Sequence, residues 1–227
     1  MFAVIFEVQP KKERKDEYLD LAKHLKPILE AIDGFIDNER FVNQRNERRI
    51  LSLSTWRDEK AVVRWRTHGE HHTVQEKGRF EVFEDYHLRV GEVTADSHPP
   101  AGGSVDEMRF DETSIGAAKV CTITETSLAE KSSSAGQAAA LPAQLGLDTG
   151  IGGLVDHEVF ESIYNPGKLL LLGSWKDARA ARAWTPQPFA SASSLRHRHI
   201  RVIRDYGMYE RREATQYYAE VKRDERG

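Results

Sequence analysis

Trp56-Arg57-Asp58, with Trp65 nine residues after Trp56 and Asp85-Tyr86 further on, has a second copy: Trp175-Lys176-Asp177, with Trp184 nine residues after Trp175 and Asp205-Tyr206 further on. Trp56 and Trp175 are 119 positions apart, and so are Trp65 and Trp184. The same offset carries Gly34-Phe35-Ile36-Asp37-Asn38-Glu39 onto Gly153-Leu154-Val155-Asp156-His157-Glu158, and Phe41 onto Phe160. Asp85-Tyr86 reaches Asp205-Tyr206 with one residue more. A register shared over so much of the chain marks an internal repeat, and a repeat decides the architecture.

Each copy reads as one small α+β unit. In the first, Phe2 to Val8 is an apolar, β-rich run, so a buried strand. Lys11 to Asp33 carries Tyr18, Leu21, Ala22, Leu25, Ile28, Leu29 and Ile32 at helical spacing, with Pro27 inside. Gly34 ends that helix. Phe35 to Asn43 and Arg49 to Trp56 form paired strands around a polar turn. Asp58 caps a helix from Glu59 to Gln75, and Phe83 to Val93 is the last strand. The order β-α-β-β-α-β is ferredoxin-like. The boundaries are a first repeat at 1–94, a linker at 95–116 rich in Pro, Gly and Ser, a second repeat at 117–210, and a charged tail at 211–227 that packs on the outside or frays. In the second repeat Leu128 to Leu145 stands in for the first helix. Leu154 to Tyr164 and Lys168 to Trp175 make a hairpin around Asn165-Pro166-Gly167. Leu169 to Leu172 is a run of four leucines, which requires cover on both faces of its strand.

A four-stranded sheet with helices on one side leaves its other side bare, and tandem copies can cover it for each other. The expected fold is therefore α+β: two tandem ferredoxin-like (βαββαβ) repeats packed sheet to sheet as an intramolecular pseudo-dimer. Association of whole chains as a further homodimer is not demanded by anything in the sequence. A formal net charge of −3 argues against a nucleic-acid partner. No apolar run approaches a membrane span. The single cysteine, Cys121, excludes an intramolecular disulfide and suits a reducing compartment, so a cytoplasmic protein is expected.

The element order, the Gly34-Phe35 helix exit, the strand ending in Thr55-Trp56, and Ala61 to Trp65 resemble the antibiotic biosynthesis monooxygenase (ABM) domain of the dimeric α+β barrel superfamily. The likeness covers 1–94 well and about 117–210 more loosely. It implies a pocket between helix and sheet lined by Trp65. It also implies a choice of functions, since members include cofactor-free oxygenases of polyphenolic substrates, haem-degrading oxygenases and many proteins with no known role. The haem-degrading pattern has an asparagine late in the first strand and a haem-ligating histidine nine or ten residues after the helix tryptophan. Here Glu7 or Val8 and Val74 or Gln75 occupy those places, and Ser193 and Ser194 occupy the ligand's place in the second repeat. The expectation is a monooxygenase of an aromatic, phenolic or quinol-type small molecule with no cofactor. The alternatives are a non-catalytic small-molecule binder and a haem protein with another ligand.

His68, His71 and His72 cluster just after Trp65. His68 and His72 have the i, i+4 spacing that suits a metal, but no third ligand is evident and the His-Glu-x-x-His order is absent, so no metal is expected. A histidine near neutral pKa beside a tryptophan can serve as general base, which makes His71 and His72 the catalytic candidates. Trp65, His68, Tyr86 and Arg89 are the substrate-binding candidates. Strand alternation sets Tyr86 and Leu88 on one face and His87 and Arg89 on the other. Arg201, Arg204 and Tyr206 are read as the second-repeat counterparts. Thr185-Pro186-Gln187-Pro188 cuts the second repeat's later helix short, so a ligand is expected in repeat one.

Overall fold

Along β1 (Phe2–Pro10), Ala3, Ile5 and Glu7 alternate with Phe2, Val4, Phe6 and Val8. A period of two sends the first set to one side of the sheet and the second to the other. The whole barrel follows from this rule. A computed structural model describes residues 1–101, 105–129 and 135–221. The serine run 132–134 and residues 102–104 of the linker lie outside them.

Repeat one continues with α1 (Lys15–Glu30), β2 (Phe35–Asn43), β3 (Ile50–Trp56), α2 (Glu59–Arg66), α3 (Gly69–Lys77), a π-helical turn at Gly78–Val82, and β4 (Phe83–Asp96). Repeat two has β5 (Val120–Leu128), α4 (Ala135–Gln144), β6 (Leu154–Ser162), β7 (Lys168–Trp175), α5 (Ala178–Arg182) and β8 (Ala192–Gly207). The strands close an antiparallel barrel in the order β1-β3-β2-β6-β7-β5-β8-β4. Each repeat contributes four neighbouring strands in ferredoxin-like order. The repeats meet at two seams, a short one where β2 pairs β6 from Phe41↔Ser162 to Asn43↔Phe160 and a long one where β4 pairs β8. The two repeats thus form one barrel within one chain. Among the described residues no helix is long and apolar enough to cross a membrane.

The leucine run behaves as its composition requires. Leu170 and Leu172 join Ile5, Phe41, Leu51, Ile123 and Phe160 inside the barrel, whereas Leu169 and Leu171 pack under α4 and α5 with Trp175. The barrel's centre is apolar, and its two ends carry buried ion networks related by the repeat. At one end Glu7 bonds Arg89 and Arg49, and Arg49 reaches Glu158 of repeat two at 3.0 Å. At the other, Glu125 bonds Arg198 at 2.5 Å and Lys168 at 2.8 Å, and Lys168 reaches Glu39 of repeat one. Arg89 also donates to Ser174, and Arg198 to Thr55. Both networks tie one repeat to the other.

These networks correct one part of the sequence alignment. Ile5 faces Arg89 on β4, and Ile123 faces Arg198 on β8, so Arg198 is the counterpart of Arg89. By the same register Tyr86 corresponds to Leu195. Arg201, Arg204 and Tyr206 are not the counterparts, and Asp205-Tyr206 instead pairs with Arg89 and Leu88 across the long seam. The reason is local. Repeat two lacks an equivalent of α3 and the π turn, so its last strand begins roughly ten residues sooner after Trp184.

Candidate active site

The repeated motif builds the frame of the site. Trp56 and Trp175 are fully buried, with indole N–H groups donating to Ser54 and Thr122 at 2.9 Å. Asp58 accepts from the Ala61 N–H and Asp177 from the Ala180 N–H, capping α2 and α5. Gly34 and Gly153 have φ of 91° and 92°, and an added Cβ would lie 2.7 and 2.5 Å from the methyls of Ala61 and Ala180. Only glycine satisfies both the left-handed backbone and that approach.

Between this frame and α1 to α3, repeat one holds a cavity of about 170 Å³. Its floor is the outer face of the sheet, including Val4, Phe6, Ser52, Tyr86 and Leu88. Its roof is α1, through Tyr18, Leu21 and Leu25, and its flank carries Trp65 and His71. An apolar cavity of about 150 Å³ accommodates benzene, so this one has room for a single ring. The segment after β8 completes the wall with Arg211, Gln216 and Tyr218. Gln216 donates to the Arg66 carbonyl at 2.9 Å, and the Tyr218 hydroxyl lies 3.1 Å from both His72 Nδ1 and Gln75 Oε1. The charged tail therefore packs, over this described part, against the helices of the other repeat.

The helix expected without a break from Glu59 to Gln75 is two helices, interrupted at Thr67 and His68. Thr67 closes α2, and His68 is extended (φ −64°, ψ 128°) before Gly69 opens α3. The break has a chemical consequence. On a continuous helix residues six apart point about 120° away from one another, so Trp65 and His71 would diverge. Here their rings stack at 3.9 Å between centroids with planes 15° apart. His71 Nδ1 donates to the Trp65 carbonyl oxygen at 2.9 Å, which leaves the lone pair on Nε2. Burial pushes the His71 pKa down to about 4, more than that hydrogen bond raises it. The site thus holds a neutral imidazole, clamped against an indole, whose Nε2 is available to accept a hydrogen bond.

The other sequence candidates disperse. Tyr86 lines the cavity. His68 stands at the N-cap position of α3 without a side-chain capping bond, beside Trp65 at 6.4 Å between rings, and is not part of the cavity wall. His72 is exposed and stacks on Tyr218. The i, i+4 relation of His68 and His72 survives in the backbone, with His72 N–H bonded to the His68 carbonyl, but their rings turn to different neighbours. Arg89 is a correction. It points into the barrel, on the far side of the sheet from Trp65, and is bound to Glu7 and Ser174. Strand alternation separates it from Tyr86 by necessity. Arg79 and Arg211 line the cavity and were not legible in the sequence. Arg79 is set by the π turn and Arg211 by a crossing between repeats, and neither has a local signature.

In repeat two the equivalent space is filled. Ala138, Leu141, Leu145 and Leu147 pack with Trp184, all buried, and the Trp184 indole donates to the Leu145 carbonyl. His197 lies edge-on to Trp184, 5.3 Å between ring centroids, and burial together with His199 pushes its pKa down to about 4.

His71 and His197 are thus both neutral in the fold and protonate more readily when unfolded, where the reference value is 6.5. Their folded pKa values are depressed. Their contribution is therefore fully present above about pH 6.5 and is lost as pH falls towards 4, because the unfolded chain takes up protons that the fold refuses. Glu158, pushed up to about 7 by burial and by Glu7, works in the opposite sense between about 4.5 and 7. Urea midpoints measured from pH 4 to 8 should fall on the acid side, and His71→Asn should flatten that slope. An unchanged slope would show that His71 is not held neutral.

A closed barrel of two ferredoxin-like sheets, with a ligand-sized cavity between sheet and helices, defines a dimeric α+β barrel protein whose two halves lie in one chain. A crystal structure of aldoxime dehydratase in complex with butyraldoxime has the same fold, with a TM-score of 0.54 at 12% identity over 89% of this chain and 79% of that one. The family model for antibiotic biosynthesis monooxygenase matches residues 1–77. The chain is 42% identical over 223 residues to the jasmonate monooxygenase ABM of Pyricularia oryzae (strain 70-15), covering 96% of this chain and 98% of that protein. It is also 32% identical over 92 residues to the uncharacterized protein YqjZ of Bacillus subtilis (strain 168), covering 40% of this chain and 78% of that protein. The chain belongs to the antibiotic biosynthesis monooxygenase family.

Proposed function

We propose that this protein is a monooxygenase that oxidises a small cyclic, aromatic or quinol-type molecule in the repeat-one cavity, using O₂ and no resident cofactor. The observation that carries the reading is the Trp65–His71 stack in the wall of an apolar, ring-sized cavity. Trp65 presents a flat surface for a ring. His71 Nε2 accepts the substrate's acidic proton. Its low basicity suits a substrate whose anion is itself stabilised, and the arginine-rich wall, which includes Arg40 and Arg66, favours negative charge in the cavity. An activated methylene that loses its proton can pass electrons to O₂. One oxygen then enters the product as a carbonyl and the other leaves as water, so the substrate supplies all four electrons. Membership of the monooxygenase family and the long match to a relative named for jasmonate support the same class of reaction.

The test is O₂ uptake with a panel of phenols, quinols and jasmonate, with ¹⁸O₂ incorporation read by mass spectrometry. Label in the product at a rate well above the protein-free control is the expected result. Binding without O₂ uptake would leave a non-catalytic binder on the same fold.

A further inference from the structure

We propose that Arg79 and Arg211 form a carboxylate-binding subsite at the Tyr86 end of the repeat-one cavity, so that the molecule held there is an apolar carboxylic acid. The inference rests on the preceding reading only in taking that cavity as the ligand site.

The charge in the cavity wall is one-sided. Four arginines line it and no aspartate or glutamate does. Among the described residues, none of the four has a carboxylate within ion-pair distance, whereas Arg48 is paired on the outside and Arg89 and Arg198 are paired within the barrel. The contrast is sharpest for the three most buried guanidinium side chains. Arg89 and Arg198, 3% and 1% exposed, are bound to Glu7 and Glu125. Arg79 is equally buried at 3%, and among the described residues it donates to the Tyr86 hydroxyl at 3.1 Å, with Nε unbonded. A buried cation without a counter-charge is costly, and an arriving carboxylate relieves that cost.

Arg211 converges on the same point. It donates to the same Tyr86 oxygen at 2.5 Å and is anchored by the Gln216 carbonyl at 2.8 Å. Two guanidinium groups therefore meet at a single phenol oxygen, and both lie over the Tyr218 ring, at 6.0 and 5.4 Å. Planar forks of this kind match a carboxylate's two oxygens. Arg79 comes from repeat one and Arg211 from the tail that follows repeat two. The π turn at Gly78–Val82 aims Arg79, a kind of irregularity frequent at functional sites. The segment after β8 brings Arg211 across, so the tail supplies part of repeat one's site.

The test compares acids with their own methyl esters: jasmonate with methyl jasmonate, and decanoate with methyl decanoate. Binding is followed by tryptophan fluorescence and by the ligand-induced rise in Tm. The acids should bind about 10- to 100-fold tighter than the esters, as expected for charge-assisted hydrogen bonds. Arg79→Met and Arg211→Met should bring acid affinity down to ester affinity and leave the esters unchanged. Arg79→Lys should fall between. Without ligand, Arg79→Met should not lower Tm, because it removes an unpaired buried charge, and this separates binding from a structural role. Equal affinity of acid and ester in the unmodified protein, or equal loss of both in the variants, would overturn the subsite. Tight acid binding without O₂ uptake would overturn only the oxygenase reading, and turnover of esters as fast as acids would overturn only the subsite.

Discussion

Trp65→Ala should remove ligand binding and turnover while leaving the chain folded, and Trp184→Ala should do the reverse. The two residues are equivalent by repeat, yet their surroundings differ. Trp65 is half-buried at the cavity wall and holds His71 by stacking and through its own carbonyl. Its loss takes away both the surface for the ring and the clamp on the imidazole. Misplacement of a reacting group by about 1 Å lowers rates about 100-fold, so kcat/KM should fall at least that far. Trp184 is buried among the α4 leucines, and the cavity left by its truncation should cost about 3–5 kcal/mol. Ligand affinity and urea midpoints of both variants, taken where both remain folded, make the comparison. Equal losses of affinity would mean that both repeats bind, and loss with Trp184→Ala alone would move the site to repeat two.

The second large effect lies inside the barrel. Glu7→Ala should destabilise the protein by about 3–5 kcal/mol, because it leaves the buried Arg89 without its carboxylate. Burial pushes the Glu7 carboxyl up, but Arg89 and Arg49 outweigh it and hold the group below its usual range, so it is charged where it stands. Arg49 would be left with Glu158 alone. Glu7→Leu combined with Arg89→Met should recover much of the loss, since an apolar pair needs no counter-charge. Chemical denaturation of the single and double variants measures the coupling. A single-variant loss below about 1 kcal/mol would show that water or a neighbour compensates Arg89 and that the network is not a structural tie.

Much of the fold was legible because the determinants are local or periodic. The tandem tryptophans, the glycines before β2 and β6, the capping aspartates and the leucine run all act over a few residues, and each does in the structure what its chemistry requires. Alternation along β4 correctly separated Tyr86 from Arg89, although it could not say which side faced a cavity. Where sequence matching went astray was Asp205-Tyr206. A dipeptide repeats easily by chance, and only strand register shows that repeat two reaches its last strand early, with Arg198 in the place of Arg89.

The sequence by itself determined the ferredoxin-like repeat, its duplication, and the shortening of the later helix in the second copy, because turn chemistry, capping and hydrophobic period are written within each segment. Tertiary structure alone decided how the site is composed. It broke the helix at Thr67-His68, so that His71 folded back on Trp65 while His72 turned outward. It buried Arg89 in the barrel and Arg79 in the cavity, one beside a carboxylate and one without. It also carried Arg211 from the tail after repeat two to the mouth of repeat one. These are relations between segments far apart in the chain, fixed by strand pairing across the seams and by packing, and no local pattern encodes them.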